Sequence, residues 1–216
     1  MRKLVMVAFV SLDGVMQAPG GPEEDPSDGF PYGGWQFPFN DDEMGEIVVE
    51  VSRRAGGFLL GRRTYDIFAG YWPQVTDPDD PIASGLNSLP KYVVSTTLRD
   101  PAWHNTTVIS ENVPEAVRAL KAAEDGDILI WGSSQLLPTL LAHDLVDEFL
   151  LGIYPVVLGR GKRLFAEGAP ARTLRLTNSR RTSSGAMFNT YEPAGEVKTG
   201  EFGVDEHGQE TATPSA

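Results

Sequence analysis

Three segments of the chain place small or hydroxylated residues directly after short apolar runs: Gly61-Arg62-Arg63-Thr64 after residues 58–60, Ser95-Thr96-Thr97 after 92–94, and Gly132-Ser133-Ser134-Gln135 after 128–131. If those runs are parallel strands, all three segments sit at the carboxyl edge of one sheet, where free backbone N–H groups and helix dipoles face a crevice. That arrangement suits an anionic, extended ligand. Gly61 and Gly132 let backbone approach a phosphate closely, Thr64, Ser95 and Thr96 offer hydroxyls, and Arg62 and Arg63 offer charge-assisted bonds. Each segment alone is an ordinary loop or a solvated face, and only the combination points to a site. Other phosphate signatures fail. Gly159-Arg160-Gly161-Lys162-Arg163-Leu164 lacks the third glycine of a dinucleotide fingerprint, and Gly161-Lys162 has neither the P-loop spacing nor a following Ser or Thr. The basic turn Arg160, Lys162, Arg163 is open between a substrate-phosphate site and a solvated hairpin.

The absences in the 216-residue chain narrow the chemistry further. It has no cysteine, which removes disulfides, thiol nucleophiles, iron–sulfur clusters and cysteine-based zinc sites. Its three histidines, His104, His143 and His207, are too scattered for a zinc helix or a catalytic triad, so no metal site is expected and a difficult reaction needs a borrowed cofactor. A net charge of −12 repels nucleic acid and anionic membranes at long range. Met1-Arg2-Lys3 and the apolar residues 4–10 have the order of a secretory signal, but Ser11-Leu12-Asp13-Gly14 follows without a small-residue cleavage site. The run reads as a buried first strand of a cytoplasmic protein.

The elements that must position these segments alternate in the α/β manner. After the first strand, residues 11–40 form a long Gly- and Pro-rich loop whose Phe30, Tyr32, Trp35, Phe37 and Phe39 argue against simple disorder. Residues 41–54 read as a helix with acids at its start, a Met44, Ile47, Val48, Val51 stripe, and Gly56-Gly57 as its stop. Helices also follow Gly61, run over 113–123, and continue from Gln135 to about His143, with Pro138 required in the first turn. Strands are expected near 107–109, over 148–158, and as an antiparallel pair over 173–181 and 186–191. The fold expected is a three-layer α/β/α domain over residues 1–192, with a mainly parallel twisted sheet and an antiparallel C-terminal hairpin. Residues 193–216 form an acidic tail with too little apolar area to order itself by burial. If the tail is ordered, it marks a homo-oligomer interface, a homodimer in the simplest case.

Together with Lys91-Tyr92-Val93-Val94-Ser95, Trp131-Gly132-Ser133 and Pro155-Val156-Val157-Leu158-Gly159 followed by Leu164-Phe165, the opening strand and the Gly61 motif resemble the dihydrofolate reductase superfamily. Within it they are most similar to the riboflavin-biosynthesis reductase C-terminal domain. The resemblance implies NADPH as cofactor and hydride transfer to a small heterocycle, pteridine-like or a ribosylaminopyrimidine, as in dihydrofolate or 5-amino-6-(5-phosphoribosylamino)uracil reductases. It implies that Ala8 and Asp13-Gly14 flank the nicotinamide and that Gly61, Arg62, Arg63 and Thr64 hold phosphates. It also implies that Ser95 and Thr96 lie by the adenosine 2′-phosphate and that Gly132, Ser133, Ser134 and Gln135 receive the pyrophosphate. Arg62, Arg63 and Arg99 would favour the dianionic 2′-phosphate of NADPH over NADH.

Reducing a ring C=N also needs a proton. Folate reductases place a carboxylate at the start of the helix after the first loop, and the matching position here is Asn40. Asp42 and Glu46, one helical turn apart, are the substitutes nominated as catalytic, although helix-capping and surface roles explain them as simply. Trp35 and Phe37 are the candidate substrate walls, with packing of the long loop as the alternative. If no acid serves, the chain is a non-catalytic module that binds nucleotide without turnover.

Overall fold

The computed structural model describes residues 1–123, 125–204 and 206–214. Strand β1 (Leu4–Ser11) is buried along nearly its whole length. Leu4, Met6, Ala8 and Val10 face one core and Val5 and Val7 the other, so alternation on a strand covered on both sides yields a continuous apolar run. Strands β5 (Asp127–Trp131) and β6 (Glu148–Tyr154) flank β1 in parallel. On the β5 side the sheet continues, still parallel, through β2 (Ala55–Gly61), β3 (Lys91–Val94) and β4 (Thr106–Ile109). On the β6 side β8 (Met187–Pro193) and then β7 (Leu174–Arg181) close it antiparallel, giving the order β4-β3-β2-β5-β1-β6-β8-β7.

Helices α1 (Asp42–Ser52), α2 (Arg62–Tyr71) and α3 (Pro81–Ser88) bury Val51, Tyr65 and Leu86 against the Val5 face. Helices α4 (Val113–Ala122) and α5 (Leu137–Ala142) bury Val117, Leu137 and Leu140 against the Leu4 face. This is the expected three-layer α/β/α domain. Among the described residues no helix is long and apolar enough to cross a membrane.

Several local readings change. Gly56 and Gly57 lie inside β2 rather than ending α1; a Cβ on Gly56 would stand 1.8 Å from the Asp125 carbonyl oxygen, so the strand passes only with glycine there. Helix α3 is an addition, started by Asp80, whose carboxylate accepts from the N–H groups of Ile82 and Ala83, with Pro81 in its first turn. Lys91, fully buried, ties α3 to β3 by donating to the carbonyls of Leu86 and Leu89 while its ammonium lies 4.5 Å from the Trp103 ring centre. The strand expected over 148–158 stops at Tyr154, because Pro155 brings no N–H to the ladder. Helix α5 is shorter than expected, being preceded by a 3-10 turn at Ser134–Leu136, and Pro138 does fall in its first turn. The acidic tail carries an antiparallel pair, β9 (Gly200–Val204) with β10 (Glu210–Pro214), whose described residues are all exposed. Cross-strand hydrogen bonds hold the pair, not burial.

The long loop has a small core of its own. Val15, Ala18, Phe30 and Trp35 pack with Ile47 of α1 and with Tyr154 and Phe188 of the sheet. Burial of that apolar area is why a 30-residue irregular segment holds one shape.

Candidate functional site

A cleft of about 380 Å³ opens at the carboxyl edge of β1, β2, β3 and β5, with the long loop as its far wall. Of the nominated residues it brings together Ala8, Gly61, Arg62, Arg63, Thr64, Gly132, Ser133, Ser134 and Gln135. β1 lies between β5 and β6, both parallel to it, and the strand order departs to opposite sides there, which makes this carboxyl edge the place where an open parallel sheet leaves room for a ligand.

Two strand ends interlock at the cleft floor. The Gly61 N–H donates to Ser133 Oγ (2.9 Å), the Ser133 N–H donates to Thr64 Oγ1 (3.1 Å), and the two hydroxyls stand 3.1 Å apart. Gly132 and Ser133 both take left-handed backbone (φ +59° and +56°), and a Cβ on Gly132 would come within 3.2 Å of Thr64 Oγ1. The Thr64 and Ser133 hydroxyls therefore spend themselves on joining β2 to β5. The ligand-facing donors left there are backbone groups and the side chains of Arg62, Ser134 and Gln135. Helix α2 starts at Gly61 with no side-chain cap, so the N–H groups of its first turn and its dipole are open to the cleft. This combination of a glycine cradle and an uncapped helix start fits an anionic cofactor group.

The charges are arranged less simply than the sequence implied. Arg63 Nη1 donates to Asp25 Oδ1 (2.8 Å) and Ser27 Oγ (2.9 Å), and Lys162 Nζ donates to Asp25 Oδ2 (2.5 Å) and Ser27 Oγ (2.6 Å). Burial works to raise the Asp25 carboxyl, but Lys162, Ser27 and Arg63 outweigh it and hold it below the usual aspartate value. Gln17 organises the same loop, donating to the carbonyls of Asp25 and Ser27 and accepting from the Lys162 N–H. Arg62 pairs with Asp66 (2.8 Å) and reaches Thr97 Oγ1 at 3.4 Å. Arg160 donates to the Asp28 carbonyl and Arg163 to that of Asp13, so the basic turn is engaged within the protein.

The remaining nominated residues lie outside the cleft lining. Asp13 is a clamp: it accepts from Ser11 Oγ, Leu158 N–H and Gly159 N–H, which lowers its carboxyl to about 2, and Gly14 makes the turn beside it at φ +80°. Buried Ser95 accepts from the N–H groups of Thr97 and Leu98 to shape the turn after β3, and Thr96 is exposed there. Trp35 is buried in the loop core, its Nε1 donating to the Gln17 carbonyl, and Phe37 is 73% exposed. Asp42 and Glu46 are on the solvent side of α1. Asp41, just before them, caps the helix through the Met44 N–H and also accepts from the Ser184 N–H.

Gln17, Glu24, Asp25 and Gln36 line the cleft without having been singled out. All four belong to the long loop, where no periodicity indicates which side chains turn inward.

Residues 2–188 match the RibD C-terminal domain family. The uncharacterized protein YyaP of Bacillus subtilis (strain 168) is 31% identical over 192 residues, covering 88% of this chain and 94% of its own. Among solved structures, a Shewanella sp. PV-4 protein provisionally assigned to riboflavin biosynthesis superposes with a TM-score of 0.64 at 19% identity, covering 89% of this chain and 99% of its own. A dihydrofolate reductase from Enterococcus faecalis, complexed with NADP(H), superposes with a TM-score of 0.56 at 16% identity, covering 88% and 96%. These two likenesses establish the fold. The sheet order, the cleft at its carboxyl edge and the match over nearly the whole domain make this chain a member of the RibD C-terminal domain family.

Proposed function

We propose that the protein is a cytoplasmic NADPH-dependent reductase of a small heterocyclic substrate. The observation that carries the reading is the meeting of the uncapped α2 start with the Gly132 bend at one sheet edge. The first-turn N–H groups of α2 would hold cofactor phosphate, Gly61 allowing close approach while its own N–H stays on Ser133, with Gly132 to Gln135 opposite. Half-buried Arg62, paired with Asp66 through Nε and reaching Thr97 through Nη1, is the cation best placed to read a 2′-phosphate. Arg63 contributes mainly by fixing the loop through Asp25. When bound, NADPH would supply a hydride. The chain's own part is to orient cofactor and substrate and, with the loop core as a wall, to limit access of water.

Titrating NADPH while following the fluorescence of Trp72 and Trp131, both in the cleft lining, tests the reading. Saturable binding with a Kd in or below the range of about 100 μM is expected, weakened more for NADPH than for NADH by Arg62→Ala. Absence of saturation, or equal weakening of both nucleotides, counts against it. A second reading is a cleft that binds nucleotide without turnover; Asn40 at the expected acid position, and Asp42 and Glu46 outside the lining, favour it. Oxidation of NADPH across a panel of pteridines and ribosylaminopyrimidines separates the two.

A further inference from the structure

Two acidic side chains line the cleft among the described residues, Glu24 and Asp25, adjacent in the chain and opposite in circumstance. Asp25 is closed to proton chemistry, because both carboxylate oxygens accept from cations, Arg63 on one and Lys162 on the other. Among the described residues no cation pairs with Glu24. Its Oε2 accepts from the Gly20 N–H at 2.6 Å, a backbone contact that fixes the carboxyl against the loop wall. The other charged groups on the cleft are already paired: Arg62 with Asp66, Arg63 and Lys162 with Asp25.

We propose that Glu24 is the proton donor of this cleft, the role that Asn40 cannot fill and that Asp42 and Glu46 are placed too far outside to fill. The proposal rests on reading the cleft as a reductase site. Glu24 gives its proton to the ring nitrogen of a substrate C=N, its O–H bond breaking as the N–H bond forms. The hydride and its electron pair reach the adjacent carbon from the reduced nicotinamide, which leaves oxidised, and the Glu24 carboxylate is reprotonated from solvent.

The electrostatics agree with the geometry. Burial raises the Glu24 carboxyl above its ordinary 4.5; the Gly20 and Gly21 N–H groups oppose this, and the negative charge of Asp25 adds to it. Adjacent carboxyls whose surroundings drive them apart, Asp25 held as an anion and Glu24 made to hold its proton more tightly, are the arrangement that lets one site hold charge and deliver a proton. The substrate class follows from the same inventory. Lys162, the residue of the basic turn that lines the cleft, is paired with Asp25, as is Arg63, so among the described residues no unpaired cation stands beside Glu24 and the site takes an unphosphorylated ring whose nitrogen faces Glu24.

Infrared difference spectroscopy of the full-length protein reads the proton directly. The expected result is a protonated-carboxyl C=O band that persists above pH 4.5, moves when glutamate is labelled with carbon-13, is absent in Glu24→Gln, and shifts when NADPH is added. A missing band, a band that survives Glu24→Gln, or a band insensitive to bound NADPH overturns the proposal. The same variant should bind NADPH within about threefold of wild type, since Glu24 is not a phosphate contact. If NADPH binds neither protein, the reductase reading itself fails, and the carboxyl titration shows separately whether Glu24 holds its proton. Linkage supplies a second readout. A raised folded value means wild-type stability falls as pH rises from 4.5 through that value, so Glu24→Gln should be the more stable protein at neutral pH and lose that advantage below 4.5. Parallel stability profiles for the two proteins would also overturn it.

Discussion

The two edges of the sheet treat their carboxylates differently. At the amino edge Glu148, whose side chain is 7% exposed, accepts from Arg54 at 2.7 Å and from Lys3 at 3.0 Å, and Arg54 also holds Asp127 at 2.7 Å. Burial pushes Glu148 up, but Arg54 and Lys3 pull it below the usual glutamate value. At the carboxyl edge Asp25 is saturated by two cations in the same way, while Glu24 beside it is left with backbone N–H groups alone. The amino edge thus pairs its carboxylates Glu148 and Asp127 with cations, whereas the carboxyl edge leaves Glu24 without one, together with an uncapped helix start. A carboxyl left without a cation where a ligand can reach it marks the end that works; carboxylates paired with cations mark the end that holds the sheet together.

The largest effect should come from breaking the amino-edge pairing. Arg54→Met leaves buried Glu148 with Lys3 alone and should cost about 2 to 3 kcal/mol, seen as a lower urea midpoint, with NADPH affinity unchanged. Loss of NADPH binding in this variant would blur the distinction between the edges. Next is Asp13, which supports the carboxyl edge without lining the cleft. Asp13→Asn should cost about 2 kcal/mol at neutral pH. With a folded value of about 2 against 3.8, that carboxylate's contribution is complete above 3.8 and is lost as pH falls through about 2, so wild type and variant should converge in acid denaturation curves. The smallest stability change is expected for Gly132→Ala, about 1 kcal/mol from the left-handed backbone and the contact with Thr64. Its NADPH affinity should nevertheless fall about tenfold, a binding effect that Arg54→Met lacks.

Much of the layer architecture was legible because burial on both faces writes itself into a sequence: residues 4–10 and 128–131 are apolar without interruption, and parallel strands covered by helices require that. The Gly61 and Gly132 segments were legible because close backbone packing and left-handed bends need small residues. Helix α3 was not, since Ile82, Ala83 and Leu86 give too few apolar positions to show a period, although Asp80-Pro81 is a start signal in retrospect. The pairing of Asp25 with Lys162 joins residues 137 apart in sequence and has no local signature, so the basic turn and Arg63 looked free when each was already engaged. Trp35 was ambiguous for a related reason: an aromatic in a loop can wall a pocket or anchor the loop, and only its Nε1 bond to the Gln17 carbonyl shows the second.

The most direct test of the central claim, that ligand chemistry belongs to the carboxyl edge, is amide hydrogen exchange with and without NADPH. Protection is predicted at residues 17–25, 61–64 and 131–136, with no change around Lys3, Arg54, Asp127 and Glu148. Protection centred on the amino edge, or spread evenly over the sheet, would contradict the account.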